Sequence, residues 1–219
     1  VKSLLDQGLV FTKRIRFIFG TDEETLWRCM NRYNQLEEKA DLGFAPDSSF
    51  PLTYAEKGLL QVKLHGPGWE DRPLQAGRAL NVVPDKATYK GERLEELLPV
   101  VEQSGVNYTE EAGAVTVLGL SKHSKDAAEG VNAIVGLAES LSLIQPHPAL
   151  LFIADAVGED ATGATLFGEI KDEPSGALSF NIATLSIDEE RSEIGIDIRI
   201  PVLADKDALV ERLTEVAAS

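Results

Sequence analysis

The sequence predicts two successive parts. Residues 1–57 read as an α/β segment, and residues 58–219 read as an α+β domain, an antiparallel sheet covered by helices and built of two similar halves. Three observations predict this. Up to Lys57, short apolar runs alternate with a helical pattern, as in a strand–loop–helix–strand order. From Gly58 onward the apolar runs lengthen and alternate, the pattern of sheet strands with one covered face. Finally, Ile194, Ile196, Ile198 and Ile200 recur at every second position, so four isoleucines share one face while Gly195, Asp197 and Arg199 share the other.

The elements follow in order. Residues 1–8 read as the tail of a helix ended by Gly8. Residues 14–19 (RIRFIF) form an apolar run that stops at Gly20, a buried-strand signal. Leu26, Cys29, Met30, Tyr33 and Leu36 then recur at helical spacing. Leu42 to Phe44 read as a second strand, closed by Pro46 and Asp47. In the second part, GLLQVKLHG and RALNVVPDKATY read as strands and ERLEELLPVVEQ as a helix that Pro99 should kink or end. AVTVLGL reads as a strand. EGVNAIVGLAESLSLI reads as a helix with Val131, Ile134, Val135, Ala138 and Leu141 on one stripe, its start capped by Asp126 and Glu129. A short helix lies within 145–163, followed by ATLFGEI, LSFNIATLSID and SEIGIDIRIPV as strands, then the helix DKDALVERLTEVA. A strand ending in Pro, then Asp-Lys, then an amphipathic helix occurs at 80–101 and loosely again at 194–216, which two similar halves would explain.

Composition narrows the function. Hydrophobic residues make up 43% and charged residues 26% of the 219, values of a folded chain rather than a disordered one. No apolar run approaches the ~18 residues that a membrane-spanning helix needs. Thirty-six acidic against 21 basic residues give a formal charge of −15, a field that repels phosphate backbones, so neither nucleic acid nor membrane is an expected partner. The single cysteine, Cys29, excludes an internal disulfide and a Cys-rich zinc site; it fits a reduced cytoplasmic setting and is expected to be buried and inert. The chain starts at Val1 and its only methionine is Met30, so it is expected to be a piece of a longer protein.

Several side chains could carry chemistry. Asp22, Glu23 and Glu24 follow the first predicted strand, where open α/β sheets place their ligands. One carboxylate there could bind a metal while its neighbour takes a proton from water. The same acids also suit an ordinary helix N-terminus. Asp47 follows the second predicted strand and could converge on the same ion, or simply close a turn. His123, between a strand and a helix, could reach a substrate oxygen or lie idle on the surface; His147, between two prolines, reads as a surface loop residue. Asn81 sits inside an apolar run, where a buried unpaired amide would be costly. Arg199 could fork onto a carboxylate, or pair with Asp197 on its own strand face. No glycine-rich phosphate loop and no Gly-x-Ser-x-Gly elbow is present.

Taken in order, GTDEET, FAPD, LNVVPD, SKHS with GVNAI, and IDIRIP resemble the dinuclear zinc peptidase family that contains carboxypeptidase G, aminoacylase-1 and the PepV dipeptidases. The segments FIFGTDEET and GFAPDSSFP are most similar to the PepV-type bacterial dipeptidases. The resemblance implies a slice of a catalytic domain up to Lys57 and a lid domain from Gly58, incomplete at its C-terminal end. It implies Glu23 as the base that activates a zinc-bridging water, with Glu24 and Asp47 as ligands of the two zinc ions. It implies Asn81, His123 and Arg199 on the lid, with His123 polarising the scissile carbonyl and Asn81 and Arg199 holding the substrate. The family's upstream His-x-Asp, its bridging Asp and its downstream His are missing from this chain. The resemblance therefore implies a metal-dependent dipeptidase that is a cytoplasmic monomer when intact, and an isolated chain that is inactive and holds no specific zinc. An N-acyl amino acid amidohydrolase of the same family and a non-catalytic binding or dimerisation module are the alternatives.

Overall fold

The computed structural model describes residues 1–22, 27–47 and 50–218. They form two compact units, Val1–Leu52 and Thr53–Ser219, against the division read from the sequence after Lys57. In the first unit the helices are α1 (Lys2–Asp6) and α2 (Arg28–Leu36). Arg16 ties the segment before α2 to its far end, donating to the Tyr33 hydroxyl and, at 3.0 Å, to the Glu38 carboxylate. Residues 14–19 and 42–44 are not strands; Phe17, Phe19, Leu42 and Phe44 are exposed. An apolar run becomes a strand only when hydrogen-bonded neighbours accept its backbone, and the described residues of this unit offer none. Cys29 is partly exposed rather than buried.

The second unit holds all the strands among the described residues. These are β1 (Gly58–Pro67), β2 (Leu74–Ala76), β3 (Lys86–Tyr89), β4 (Tyr108–Glu111), β5 (Ala114–Leu118), β6 (Lys171–Asp172), β7 (Gly176–Ala177), β8 (Ser179–Ile187) and β9 (Arg191–Ile200). Its helices are α3 (Leu94–Ser104), α4 (Ala133–Ser142), α5 (Pro148–Leu151), α6 (Ala164–Phe167) and α7 (Lys206–Ala217), with a 3₁₀ turn at Ser124–Glu129 and a π turn at Phe152–Val157. The larger sheet runs β1-β9-β8-β2, the smaller β3-β5-β4, and both are antiparallel.

Helix α4 joins the two sheets. It packs on β3 and β5 of one and on β8 of the other, and on α3 and α5 beside them. Ile134, Leu137, Ala138 and Leu141 are fully buried there, beyond the single stripe expected. Gly136 lets the helix come close, since a Cβ at that position would sit 3.3 Å from Val106 and 3.4 Å from Val117. The cap is not Asp126 with Glu129, which lie in the 3₁₀ turn, but Asn132, whose side chain accepts from the Ile134 and Val135 amides. Pro99 sits inside α3 without ending it. Residues 164–167, read as the start of a strand, are helix α6. The four isoleucines of β9 are buried as expected.

His147 is no surface residue. It is 5% exposed and caps α5: Nδ1 accepts from the Ala149 amide at 3.2 Å and Nε2 lies 3.1 Å from the Pro67 carbonyl. Pro148 can occupy the first helical turn because no intrahelical partner is lost there. Trp69 packs edge-on against the ring at 5.8 Å. With Nδ1 accepting, the neutral ring donates through Nε2–H, and burial pushes the imidazole below its ordinary value.

This gives a pH prediction. The unfolded imidazole titrates near ~6.5, and the folded one lower. Between the two, the unfolded chain binds more protons, so stability is full above the unfolded value and falls as pH drops below it. Urea midpoints at pH 7.5 and 5.5 should show that fall, and His147→Asn should flatten part of it. Asn keeps the cap but loses the Pro67 bond and the Trp69 contact, costing about 1–3 kcal/mol at pH 7.5.

Candidate functional site

The polar face of the larger sheet gathers the sequence candidates of the second unit. Asp197 and Arg199 project from it between the isoleucines, but the face is not open. The 3₁₀ turn Ser124–Glu129 packs on β8 and β9. Leu80 lies over Gly195, where a Cβ would come within 2.8 Å of its Cδ2 and 2.2 Å of the Thr184 hydroxyl. Gly195 thus leaves room for the loop that carries Asn81.

Asn181 holds that loop down. It is 2% exposed, and its amide donates to the Val82 carbonyl and to the Ser124 hydroxyl, both at 3.0 Å. Its own oxygen accepts from Asn132 at 3.2 Å, and Asn132 also donates to the Ile182 carbonyl at 2.7 Å. Ser124 is fully buried; its amide donates to the Asn81 carbonyl at 2.9 Å and its hydroxyl to the Leu80 carbonyl at 3.0 Å. The Ser179 hydroxyl donates to the Ser124 carbonyl. Ser179 stands opposite Arg199 in the β8–β9 register. One hydrogen-bonded chain therefore links Asn81, the residue after His123, and the strand position beside Arg199.

Each candidate has a definite place. Asn81 is exposed, so the cost of a buried amide does not arise, and its backbone carbonyl holds the loop. His123 is exposed and bridges Val82 across the two loops. Its Nδ1 accepts from the Lys125 amide at 3.2 Å, so the neutral ring carries its proton on Nε2 and has that donor to offer. Arg199 does pair with Asp197, with Nε to Oδ1 at 2.8 Å and Nη2 to Oδ2 at 3.3 Å. This is not an exposed pair, since the Asp197 side chain is 0% and the Arg199 side chain 19% exposed. Asp47 is exposed in the first unit. Glu23 and Glu24 lie outside the described residues.

The resemblance assigns two carboxylates of this chain, Glu24 and Asp47, to zinc, whereas a tetrahedral zinc takes four ligands. Among the described residues, no three His, Cys, Asp or Glu side chains come together to hold an ion.

Sequence reasoning missed Asn132, Ser124, Ser179 and Asn181. Asn181 had a signal, a lone amide inside the apolar run LSFNIATLSI, and so had Asn132, standing just before a helical stripe. Replacing Asn181 with Leu would strand the Val82 carbonyl and take one of two hydrogen bonds from the Ser124 hydroxyl and from the Asn132 amide. The expected loss is about 2–4 kcal/mol in urea unfolding. A change within ~0.5 kcal/mol, the range of an ordinary surface substitution, would mean the network does not hold the loop.

No protein-family model matches the chain. No helix among the described residues is long and apolar enough to cross a membrane. Three curated proteins are similar along nearly all of it. A Bacillus subtilis (strain 168) protein named "Putative dipeptidase YtjP" is 34% identical over 95% of this chain and 50% of its own length. "Putative dipeptidase SH1171" of Staphylococcus haemolyticus is 28% identical over 98% of this chain and 51% of its own. "Putative dipeptidase MW1694" of Staphylococcus aureus is 32% identical over 92% of this chain and 48% of its own. The chain is thus a homologue of proteins named as dipeptidases, and it spans about half the length of these relatives.

Proposed function

We propose that this chain is part of a metal-dependent dipeptidase of the dinuclear zinc peptidase family, with residues 1–57 a slice of its catalytic domain and residues 58–219 its lid. The observation that carries this reading is the hydrogen-bonded chain from Asn81 to Ser124, the residue after His123, and on to Ser179, the strand partner of Arg199, because the family resemblance gives substrate contacts to Asn81, His123 and Arg199. The names of the homologues support the same substrate class. In this reading the Nε2–H of His123 donates to the scissile carbonyl, the Asn81 side chain holds the substrate, and Arg199 takes its free carboxylate. Glu23 would act as the general base, moving a proton from water to the leaving amine. Glu24 and Asp47 would each supply one carboxylate to the two zinc ions, which when bound supply an activated water and polarise the carbonyl. The chain by itself supplies too few ligands and would be inactive, and the intact enzyme would be a cytoplasmic monomer.

Two experiments on a protein of the relatives' length that carries this chain test the roles. Glu23→Gln should lower turnover of dipeptides ~10²–10⁴-fold with zinc content unchanged; normal turnover would remove Glu23 from the mechanism. Arg199→Lys keeps the charge and loses the fork. It should lower kcat/KM for dipeptides with a free C-terminus and leave the poor turnover of C-terminally amidated ones almost unchanged. Equal losses on both substrates would contradict the carboxylate role. For the 219-residue chain alone, elemental analysis after dialysis against zinc should find well under one equivalent, and one tightly held equivalent would contradict the incomplete-site reading.

A further inference from the structure

We propose that Asp197 and Gln61 are positioning residues for Arg199, holding one edge of its guanidinium so that the other edge is left to meet a substrate carboxylate. The inference rests on the reading of Arg199 given above.

Strand register creates the arrangement. Asp197 on β9 stands opposite Gln61 on β1 and opposite Asn181 on β8, so a polar row crosses three strands. Arg199 lies two residues on, in the next row of the same face, opposite Leu59 and Ser179. Asp197 accepts from Arg199 Nε at 2.8 Å and Nη2 at 3.3 Å, and from Gln61 Nε2 at 2.8 Å. Gln61 shares Oδ2 with Arg199 Nη2, so the carboxylate is held from both sides and cannot turn with the arginine. A fully buried carboxylate is costly unless its oxygens are satisfied, and these three donors satisfy it.

The geometry leaves a specific remainder. The guanidinium has five N–H donors in a fixed fork. Asp197 occupies the Nε–Nη2 edge, and no hydrogen bond from Nη1 to another described residue is present. Two N–H groups on Nη1 and one on Nη2 remain, so the partly exposed Arg199 side chain can receive an anion along its Nη1–Nη2 edge. Because the ion pair already balances the charge, selection of the incoming carboxylate depends on the direction of those N–H groups. An arginine free to rotate would lose that direction, and a lysine never has it.

The test compares Asp197→Asn, Gln61→Leu and Arg199→Lys in a protein of the relatives' length that carries this chain. Its readouts are kcat and KM for L-alanyl-L-alanine and for its C-terminal amide. Gln61 is exposed on an edge strand, so Gln61→Leu should fold even if Asp197→Asn does not. For the free dipeptide, Gln61→Leu should raise KM about 3-fold or more and Asp197→Asn about 10-fold or more, with kcat changed less. The amide should be unaffected, and neither change should add to Arg199→Lys. A merely structural role would lower stability and move both substrates together, which overturns the proposal. If Arg199→Lys loses the preference for the free dipeptide while the other two variants keep it, the positioning role falls and the carboxylate reading stands. If Arg199→Lys keeps that preference, the carboxylate reading falls and takes the positioning role with it.

Discussion

Strand β9 is covered on both faces, and the rest of the second unit depends on how each cover is made. On one face four isoleucines enter an apolar core with β8 and the helices, where shape and burial suffice. On the other face, Asp197 and Asn181 are buried polar groups that must be bonded. Their partners are the backbone of the 80–83 loop, Ser124 at the head of the 3₁₀ turn, Gln61 and Arg199. Satisfying those groups pins two connections that would otherwise be surface loops, and Asn81 and His123 stand on those connections. The same requirement that stabilises the sheet therefore fixes the candidate site.

This coupling explains the composition of the polar layer. It uses Asn, Ser and Gln, which give and take hydrogen bonds without charge, and its fully buried carboxylate, Asp197, is paired with Arg199. A larger number of buried charges would each need a counter-charge. Gly195 is part of the same design, because a side chain there would meet Leu80 and Thr184 and lift the loop. Small residues and amides, with the buried acid Asp197, hold this face together.

How much of this could be read from sequence differs by element. The alternation in Ile194–Ile200 placed β9, its buried face and the shared face of Asp197 and Arg199, because strand period is a local property. The helix at Ala133–Ser142 was readable for the same reason. What covers the second face was not readable, since Leu80, Ser124 and Asn181 come from distant parts of the chain. Strand period accordingly places Asp197 beside Arg199 as a possible partner but cannot show that it is fully buried. His147 failed through local chemistry: two flanking prolines suggested a loop, whereas the second begins a helix that the imidazole caps. The runs 14–19 and 42–44 have strand composition, yet composition cannot supply the neighbouring strands that would make them a sheet. Of the candidate site, Asn81, His123 and Arg199 are proposed from their motifs, while the network behind them rests on contacts between residues far apart in sequence.

In the proposed function, the polar face of β9 belongs to a lid that reads the free carboxylate of a dipeptide. The most direct measurement is a substrate panel on a protein of the relatives' length carrying this chain, with a dipeptide, its C-terminal amide and the matching N-acyl amino acid at equal concentration. A carboxylate-reading lid should give rapid hydrolysis of the dipeptide and poor hydrolysis of both other compounds. Preferential hydrolysis of the N-acyl amino acid, or equal rates on the dipeptide and its amide, would contradict it.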